Sequence, residues 1–412
     1  MSYFCAIHRL FSIFCVLLQK DNNHFMKVAI ITSGILPVPA ILGGAVENLI
    51  DIYLDYNERH HLHNITIYSV SHPHINEHHA IHSKVNHYVF IDTRSLWARL
   101  KARVYAHFHK NECYSYKLEY FFEKVYKKIK RKEFDLIVLE NRPGFAIKLK
   151  QRTNTPIISH LHTNMICATD EKTKSIVRAT DRFVVVSNFL KKEIDAVGVR
   201  HNTIVVHNGI RPELFSYNGL KTETREALGF GKNEFIVIYT GRLVPDKGIK
   251  ELLQAFVLLN NEPDIKLIVV GGENFADSKK VNPFIEELYE LGQQCKGTVH
   301  FTGFVPYKDL PMYLAMADIA VVPSHINEAL GMTCIEATAM GLPVIATNDG
   351  GIPETLVGQK HILIDKNKDL VQELTQAIIE IKSNYQNYTG NHLNTEFTTE
   401  EYSKRFFDSI KI

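Results

Sequence analysis

Long hydrophobic runs are missing from this sequence. No stretch reaches the roughly 18 apolar residues that a membrane-spanning helix needs, so no such span is expected. Paired cysteines are missing too. Cys5, Cys15, Cys113, Cys167, Cys295 and Cys334 are scattered with no CxxC spacing. That argues against a structural zinc motif or a disulfide scaffold and fits a reducing compartment. An excess of one charge is also missing. A formal net charge of +2 over 412 residues gives no bulk case for nucleic acid. What is present is the composition of an ordinary globular chain, long enough for two domains.

Apolar β-rich runs alternate with helical patterns along the chain. "KVAIITS", "NITIYSV", "DLIVLEN", "PIISHLH", "RFVVVS" and "TIVVHNG" come first, and "FIVIYTG", "IKLIVVGG", "TVHFTGF", "IAVVPS" and "PVIATN" follow. These runs are continuous rather than alternating, as in parallel strands covered on both faces. Helical segments lie between them; from Gly248 to Leu259, Ile249, Leu252, Leu253 and Phe256 repeat at amphipathic spacing. The pattern restarts after "NGIRPELFS" (208–216), so two doubly wound α/β domains are expected. Their ligand is expected in the cleft between them, at the carboxyl ends of the strands. Residues 1–25 hold a short apolar core with basic flanks, and "MKVAIITSG" then opens a globular pattern. A disordered leader or start-site artefact is expected there, with a weak membrane anchor as the alternative.

Three constellations carry chemistry. In "SGILPVPAILGGAVENLI", Gly43 and Gly44 open a helix. This is not GxGxxG, but it allows close backbone approach and offers helix N–H groups to an anion. In "YTGRLVPDKGIKELL", Arg242 and Lys247 sit in a strand-to-helix loop, a suitable site for a diphosphate. In "SHINEALGMTCIEATAM", Glu328 precedes a Gly331-Met332-Thr333 turn and Glu336 follows it. On one helix the two carboxylates would diverge by about 80° at 100° per residue. With Glu328 in a loop, both can address one ligand from different ends. Carboxylates accepting from neighbouring hydroxyls suit a sugar or ribose ring. A glycosidase pair is the competing use, better suited to a barrel or sandwich.

Two features carry less chemistry. Nine histidines lie between residues 60 and 87, spaced across loops and strands, and no metal site is expected of them. The segments "LWARLKARVYAHFHK" (96–110) and "EKVYKKIKRKE" (123–133) are basic and amphipathic. They read as solvated helix faces or as a surface for an anionic membrane.

Taken together, Glu328-x7-Glu336, "GRLVPDKG", "GGAVE", "FTGFVP" and "GLPVIATNDGGIPE" resemble the retaining glycosyltransferases of family 4, which have the GT-B fold. The resemblance runs from Met26 to near the C-terminus, with the motifs in the family's order. "LPVPAILGGAVE", "ENRPG" and "HLHTN" resemble the branch of spore-coat and cell-surface polysaccharide transferases. The resemblance implies an acceptor-side Rossmann-like domain over 26–213, with a C-terminal helix within 395–412 crossing back to it. A nucleotide-sugar-binding domain over 214–394 is implied with it.

The resemblance also implies roles. Glu336 would hold the ribose hydroxyls and Glu328 the donor sugar. The amides of Gly331, Met332 and Thr333 would help hold sugar and phosphate. Arg242 and Lys247 would neutralise the departing diphosphate, with the Gly43-Gly44 loop bringing the Gly44 amide to it. His162 would stand at the reacting sugar, with His160 read as facing the other way into the core. The backbone at Phe304 and Val305 would lie by the base. No metal or cofactor is implied. The expected partners are a nucleotide-sugar and a glycan or lipid-linked acceptor, in the cytoplasm, with peripheral membrane contact through 96–133. A nucleotide-sugar 2-epimerase and a non-catalytic glycan-binding subunit are the alternatives.

Overall fold

The computed structural model describes residues 25–412 except 109–112, 167, 217–224, 227, 273–282, 297 and 367. The leader, apart from Phe25, lies outside the described residues, as do Cys5, Cys15 and Cys167. The chain forms two parallel sheets. The first contains β1 (Lys27–Ile31), β2 (Asn64–Val70), β3 (Asn86–Ile91), β4 (Leu136–Glu140), β5 (Ile157–Leu161), β6 (Arg182–Val185) and β7 (Thr203–Val205). The second contains β8 (Phe235–Thr240), β9 (Ile265–Val270), β10 (Val299–Gly303), β11 (Ile319–Val322), β12 (Val344–Thr347) and β13 (His361–Ile364). Their orders are β3-β2-β1-β4-β5-β6-β7 and β10-β9-β8-β11-β12-β13. In each sheet the order reverses beside the first strand, as in doubly wound folds.

The continuous apolar runs have a direct cause. Val28, Ala29, Ile30 and Ile31 of β1 are all fully buried. Val28 and Ile30 pack with Ile50 and Tyr53 of helix α1 (Ala45–His60). Ala29 and Ile31 pack on the other face of the sheet. The next two helices are α2 (Leu96–Phe108) and α3 (Tyr116–Ile129), and Phe121 and Phe122 of α3 cover that second face. Pleating sends neighbours to opposite faces, and helices cover both, so every position must be apolar.

Four further helices position the site and join the halves: α4 (Asn188–Asp195), α5 (Ile249–Leu258), α6 (Met332–Ala339) and α7 (Thr399–Ser409). α7 returns to the first sheet and packs on α1, with the rings of Tyr53 and Phe406 stacked 4.1 Å apart. Its entry is fixed by backbone bonds: Thr399 N–H donates to Ile210 O at 3.0 Å, and Ile210 N–H to Phe397 O at 2.8 Å. One apolar core also spans both sheets, joining Val185 and Leu190 to Ile236, Leu330 and Ile352. Among the described residues no helix is long and apolar enough to cross a membrane.

Candidate active site

The sequence-predicted residues gather at the C-terminal ends of the two sheets, in two groups. The first group of loops follows β8 and β11. Lys247 closes a 3₁₀ turn, Pro245–Lys247, and Gly248 follows at φ 68°. A Cβ on Gly248 would strike the carbonyl of Pro323, so only glycine lets the two loops meet. His325 N–H donates to Asp246 O across the same seam at 2.9 Å. The result is an ion pair between Lys247 and Glu328, residues far apart in sequence. Ser324 Oγ donates to the same Glu328 oxygen at 2.8 Å. Arg242 and Glu328 both lie within electrostatic reach of Tyr239, whose hydroxyl donates to Arg242 O at 2.9 Å.

Glu328 stands in a loop and Glu336 on α6, the division that the helical angle requires. The "GG" of "NDGGIPE" holds that loop. Gly351 N–H donates to Glu328 O at 2.8 Å, and a Cβ on Gly350, at φ 57°, would hit the Glu328 backbone. Gly331 caps α6 in the left-handed region at φ 97°. The amides of Met332 and Thr333 lie in the first turn, where helix N–H groups have no intrahelical acceptor. Glu336 is buried, which pushes its pKa up to about 7, although the Tyr307 hydroxyl bonds it and pulls the other way. Phe304 is half exposed just beyond Gly303, the end of β10, and Val305 packs against the spanning core.

The second group lies at the ends of β1, β4 and β5. Gly44 caps α1 at φ 105°, with Gly43 before it. The carboxyl of Glu47 lies against Gly44. Glu47 is buried and accepts from Ser33 Oγ at 2.9 Å, with His162 and Arg142 within electrostatic reach. Burial raises its pKa despite those partners. An anion at the Gly44 amide would therefore meet a carboxyl group that the sequence reading did not include.

His162 is held by Glu140. Glu140 Oε2 is 3.1 Å from His162 Nε2, Glu140 Oε1 is 3.2 Å from His160 Nδ1, and Tyr53 donates its hydroxyl to Oε1 at 2.8 Å. The expectation that His160 faces away from His162 is overturned: both rings reach one carboxylate, 4.1 Å apart. The physical reason is the pleat itself, because positions two apart on a strand share a face. Burial acts to raise the Glu140 pKa, but the two imidazoles outweigh it and hold it low, at about 2. An ionised Glu140 accepts only, so His160 carries its proton on Nδ1 and His162 on Nε2. Burial, then His160, lowers the His162 pKa. Nδ1 of His162 is left unbonded in the interior, with Asn208 beside it.

Glu140, His160 and His162 are also the group whose donor atoms lie within 4.8 Å of one another, the spacing a metal ion could use. Their mutual hydrogen bonds already account for that closeness. Among the described residues the histidine-rich stretch supplies no such group.

The chain matches known proteins over most of its length. Residues 221–393 match the family described as Glycosyl transferases group 1, and residues 61–214 match Glycosyltransferase Family 4. The chain belongs to glycosyltransferase family 4. This glycosyltransferase is 28% identical to spore coat protein SA of Bacillus subtilis (strain 168), over 87% of this chain and 90% of that one. It is 27% identical to the lipopolysaccharide 1,2-N-acetylglucosaminetransferase of Salmonella typhimurium, over 68% of this chain and 75% of the relative. Among solved structures, Anabaena Alr3699/HepE in complex with UDP and glucose superposes with a TM-score of 0.68 at 21% identity, covering 93% of this chain and 99% of that one. The lipopolysaccharide outer core galactosyltransferase WaaB, in its apo form, gives 0.63 at 15% identity, covering 93% and 99%. The fold is GT-B, the two-domain α/β architecture expected from the motifs.

The glycosyltransferase has further polar residues here that the sequence reading did not single out. Glu140 and Arg142 lie in the motif "ENRPG" without an assigned role; a charged pair at the end of a buried strand, Glu140 closing β4 and Arg142 just beyond it, was the available signal. Tyr307 had no signal, because its partner Glu336 is reached only through the fold. Glu354 ends "GGIPE" and crosses between the halves. It accepts from the amides of Asn188 at 2.7 Å and Phe189 at 2.8 Å, capping α4, and lies 3.3 Å from His207 Nε2. Burial alone would raise the Glu354 pKa, but these bonds bring it below the ordinary carboxylate value.

Proposed function

We propose that this glycosyltransferase moves a sugar from a nucleotide-diphosphate-sugar to a glycan or lipid-linked acceptor in cell-surface polysaccharide synthesis, with retention of anomeric configuration. The observation that supports this most is the meeting of Lys247 and Glu328 beside the first-turn amides of α6. That arrangement puts a cation, a carboxylate and backbone donors around one point, the set a sugar diphosphate needs.

In this reading the donor diphosphate draws Lys247 from Glu328 and shares it with Arg242. Glu328 is then released to accept from the transferred sugar. The amides of Gly331, Met332 and Thr333 hold sugar and phosphate, Glu336 takes the ribose hydroxyls, and the backbone at Phe304 and Val305 borders the base. Gly43 and Gly44 bring the loop before α1 to the diphosphate. His162 stands at the reacting sugar, where a hydroxyl would satisfy its unbonded Nδ1. The leaving group departs on the face from which the acceptor attacks. Arg242 and Lys247 supply the charge that a metal supplies in other sites, so a chelator should leave the rate unchanged. The UDP complex of the Anabaena protein makes uridine the first base to try. The setting we propose is the cytoplasm, with the first half against the inner face of the membrane.

The test is a panel of uridine, guanosine and adenosine diphosphate sugars, scored for binding, hydrolysis and transfer, with the product anomer read by NMR. Turnover of one donor with retention is expected. No binding and no turnover across the panel would overturn the enzyme reading. An epimerised nucleotide-sugar formed without acceptor would overturn the transfer reading, and an inverted anomer would overturn retention.

A further inference from the structure

Helix α2 is built inside out. At 100° per residue Leu96, Trp97, Leu100, Val104 and Phe108 form a stripe about 120° wide. A helix on a globular protein normally turns such a stripe to the core. Here the opposite side does the packing: Ala98 and Ala102 form a small cluster with Tyr120 of α3. The stripe therefore looks outward, with Leu96 81%, Trp97 73% and Phe108 75% exposed. Contiguous apolar surface of this kind marks an interaction site.

The surroundings say what it would meet. Arg99 and Arg103 border the stripe on one side and Lys101 on the other. Between α2 and α3 a cavity of about 360 Å³ is lined by Trp97, Lys101, Lys124, Lys127, Lys128 and Arg131. Among the described residues Asp92 is the one acid in that lining, and its carboxylate already accepts from the amides of Arg94 and Ser95. An apolar stripe with cationic borders and a cationic cavity at its root fits an anionic bilayer: acyl chains for the stripe, phosphates for the cations. α2 also leaves the C-terminal end of β3, the end of the parallel sheet at which Glu47 and His162 stand.

We propose that α2 lies in the interface of an anionic phospholipid bilayer, with Leu96, Trp97, Leu100, Val104 and Phe108 in the acyl boundary and a lipid phosphate in the cavity between α2 and α3. The proposal sharpens the membrane contact read above and rests on that reading only for the acceptor. Bilayer binding itself needs neither donor nor acceptor, so its failure and the failure of the transfer reading are separable.

Trp97 is the single tryptophan of the chain, so its emission reports this site alone. The full chain is mixed with vesicles of phosphatidylglycerol or of phosphatidylcholine. A blue shift and protection from acrylamide are expected with phosphatidylglycerol only, weakening as salt rises. The double change Leu100→Glu/Val104→Glu should abolish co-sedimentation. Lys124→Glu/Lys127→Glu/Lys128→Glu should lower affinity by at least about 100-fold, the loss expected from removing three basic residues near an anionic surface before the added repulsion of the glutamates. Both variants should keep wild-type donor hydrolysis in solution, and their circular dichroism checks that they fold. Equal binding to both lipids, or no binding to either, would overturn the proposal. So would a Trp97 emission already blue-shifted without lipid, or a mass that doubles with concentration while vesicles are ignored, since the stripe then covers this chain or a second copy. Saturation of the cavity by inorganic phosphate without vesicle binding would make it a free-phosphate site and would also overturn it.

Discussion

Glu336→Gln should make the protein more stable and a poorer binder of its donor. The carboxyl of Glu336 is buried on α6 and its pKa stands at about 7 rather than 4.5. Above pH 7 the folded protein holds a charge that burial disfavours. At about 1.4 kcal/mol per pH unit between those values, the cost is on the order of 3 kcal/mol. The sign follows from proton counts. Between pH 4.5 and 7 the folded state binds more protons at this group than the unfolded chain, so stability falls as pH rises through that window. Below the unfolded pKa both states are protonated and the cost vanishes. Glutamine resembles the neutral acid and keeps an oxygen for the Tyr307 hydroxyl. The variant should therefore gain about 3 kcal/mol in urea unfolding at pH 8 and nearly nothing at pH 4.5. Its donor affinity should drop about 10- to 50-fold, because two charge-assisted hydrogen bonds to ribose become neutral ones. Wild-type binding should in turn strengthen as pH rises through about 7, when the carboxylate forms. Calorimetric titration with the donor found in the panel measures both. Loss of stability at pH 8, or a gain that persists undiminished at pH 4.5, would refute the reasoning.

Other outcomes follow from the same geometry. Glu328→Gln should lower kcat about 10- to 100-fold with little change in donor affinity, one charged hydrogen bond at the transferred sugar being lost; equal loss in both would place Glu328 in ground-state binding. Glu140→Gln turns an amide N–H toward His162 Nε2, so His162 must move its proton to Nδ1. Nitrogen NMR should show that exchange of tautomer, and urea unfolding should show a loss of about 2–3 kcal/mol as charged bonds to Tyr53, His160 and His162 become neutral or fail; an unchanged tautomer would sink this. Glu140→Ala leaves all three partners unpaired and should cost roughly 3–5 kcal/mol. Gly248→Ala forces a Cβ into Pro323 at φ 68° and should cost at least about 2 kcal/mol, while weakening donor binding by separating Lys247 from Glu328; unfolding and titration would show both.

The contrast between Glu328–Glu336 and Glu140–His162 separates what sequence and tertiary structure each decided. Strands β1, β4 and β8 were legible because parallel strands buried on both faces must be continuously apolar, and that is a local property of the chain. The repetition of the pattern in a second sheet was legible for the same reason. The loop positions of Arg242, Lys247, Glu328 and Gly331 were legible because each motif is contiguous and directly follows such a strand, and Glu336 was legible as the helical position after the turn. The bond between Lys247 and Glu328 was not, since the glycine at 248 permits it only because β8 and β11 are neighbours in the sheet. Glu140, Glu47, Tyr307 and Glu354 look like ordinary surface carboxylates and a tyrosine in one dimension. Only packing supplies their partners: burial raises the pKa of Glu47 and Tyr307, whereas hydrogen-bonded partners outweigh burial and lower those of Glu140 and Glu354. His160 and His162 show the limit from the other side: the two-residue spacing already put both rings on one face, but only the register of β4 against β5 decides that a carboxylate waits there. The outward stripe of α2 is the last such case. Its periodicity was written in the sequence, and the direction it faces was set by where Ala98 and Ala102 find Tyr120.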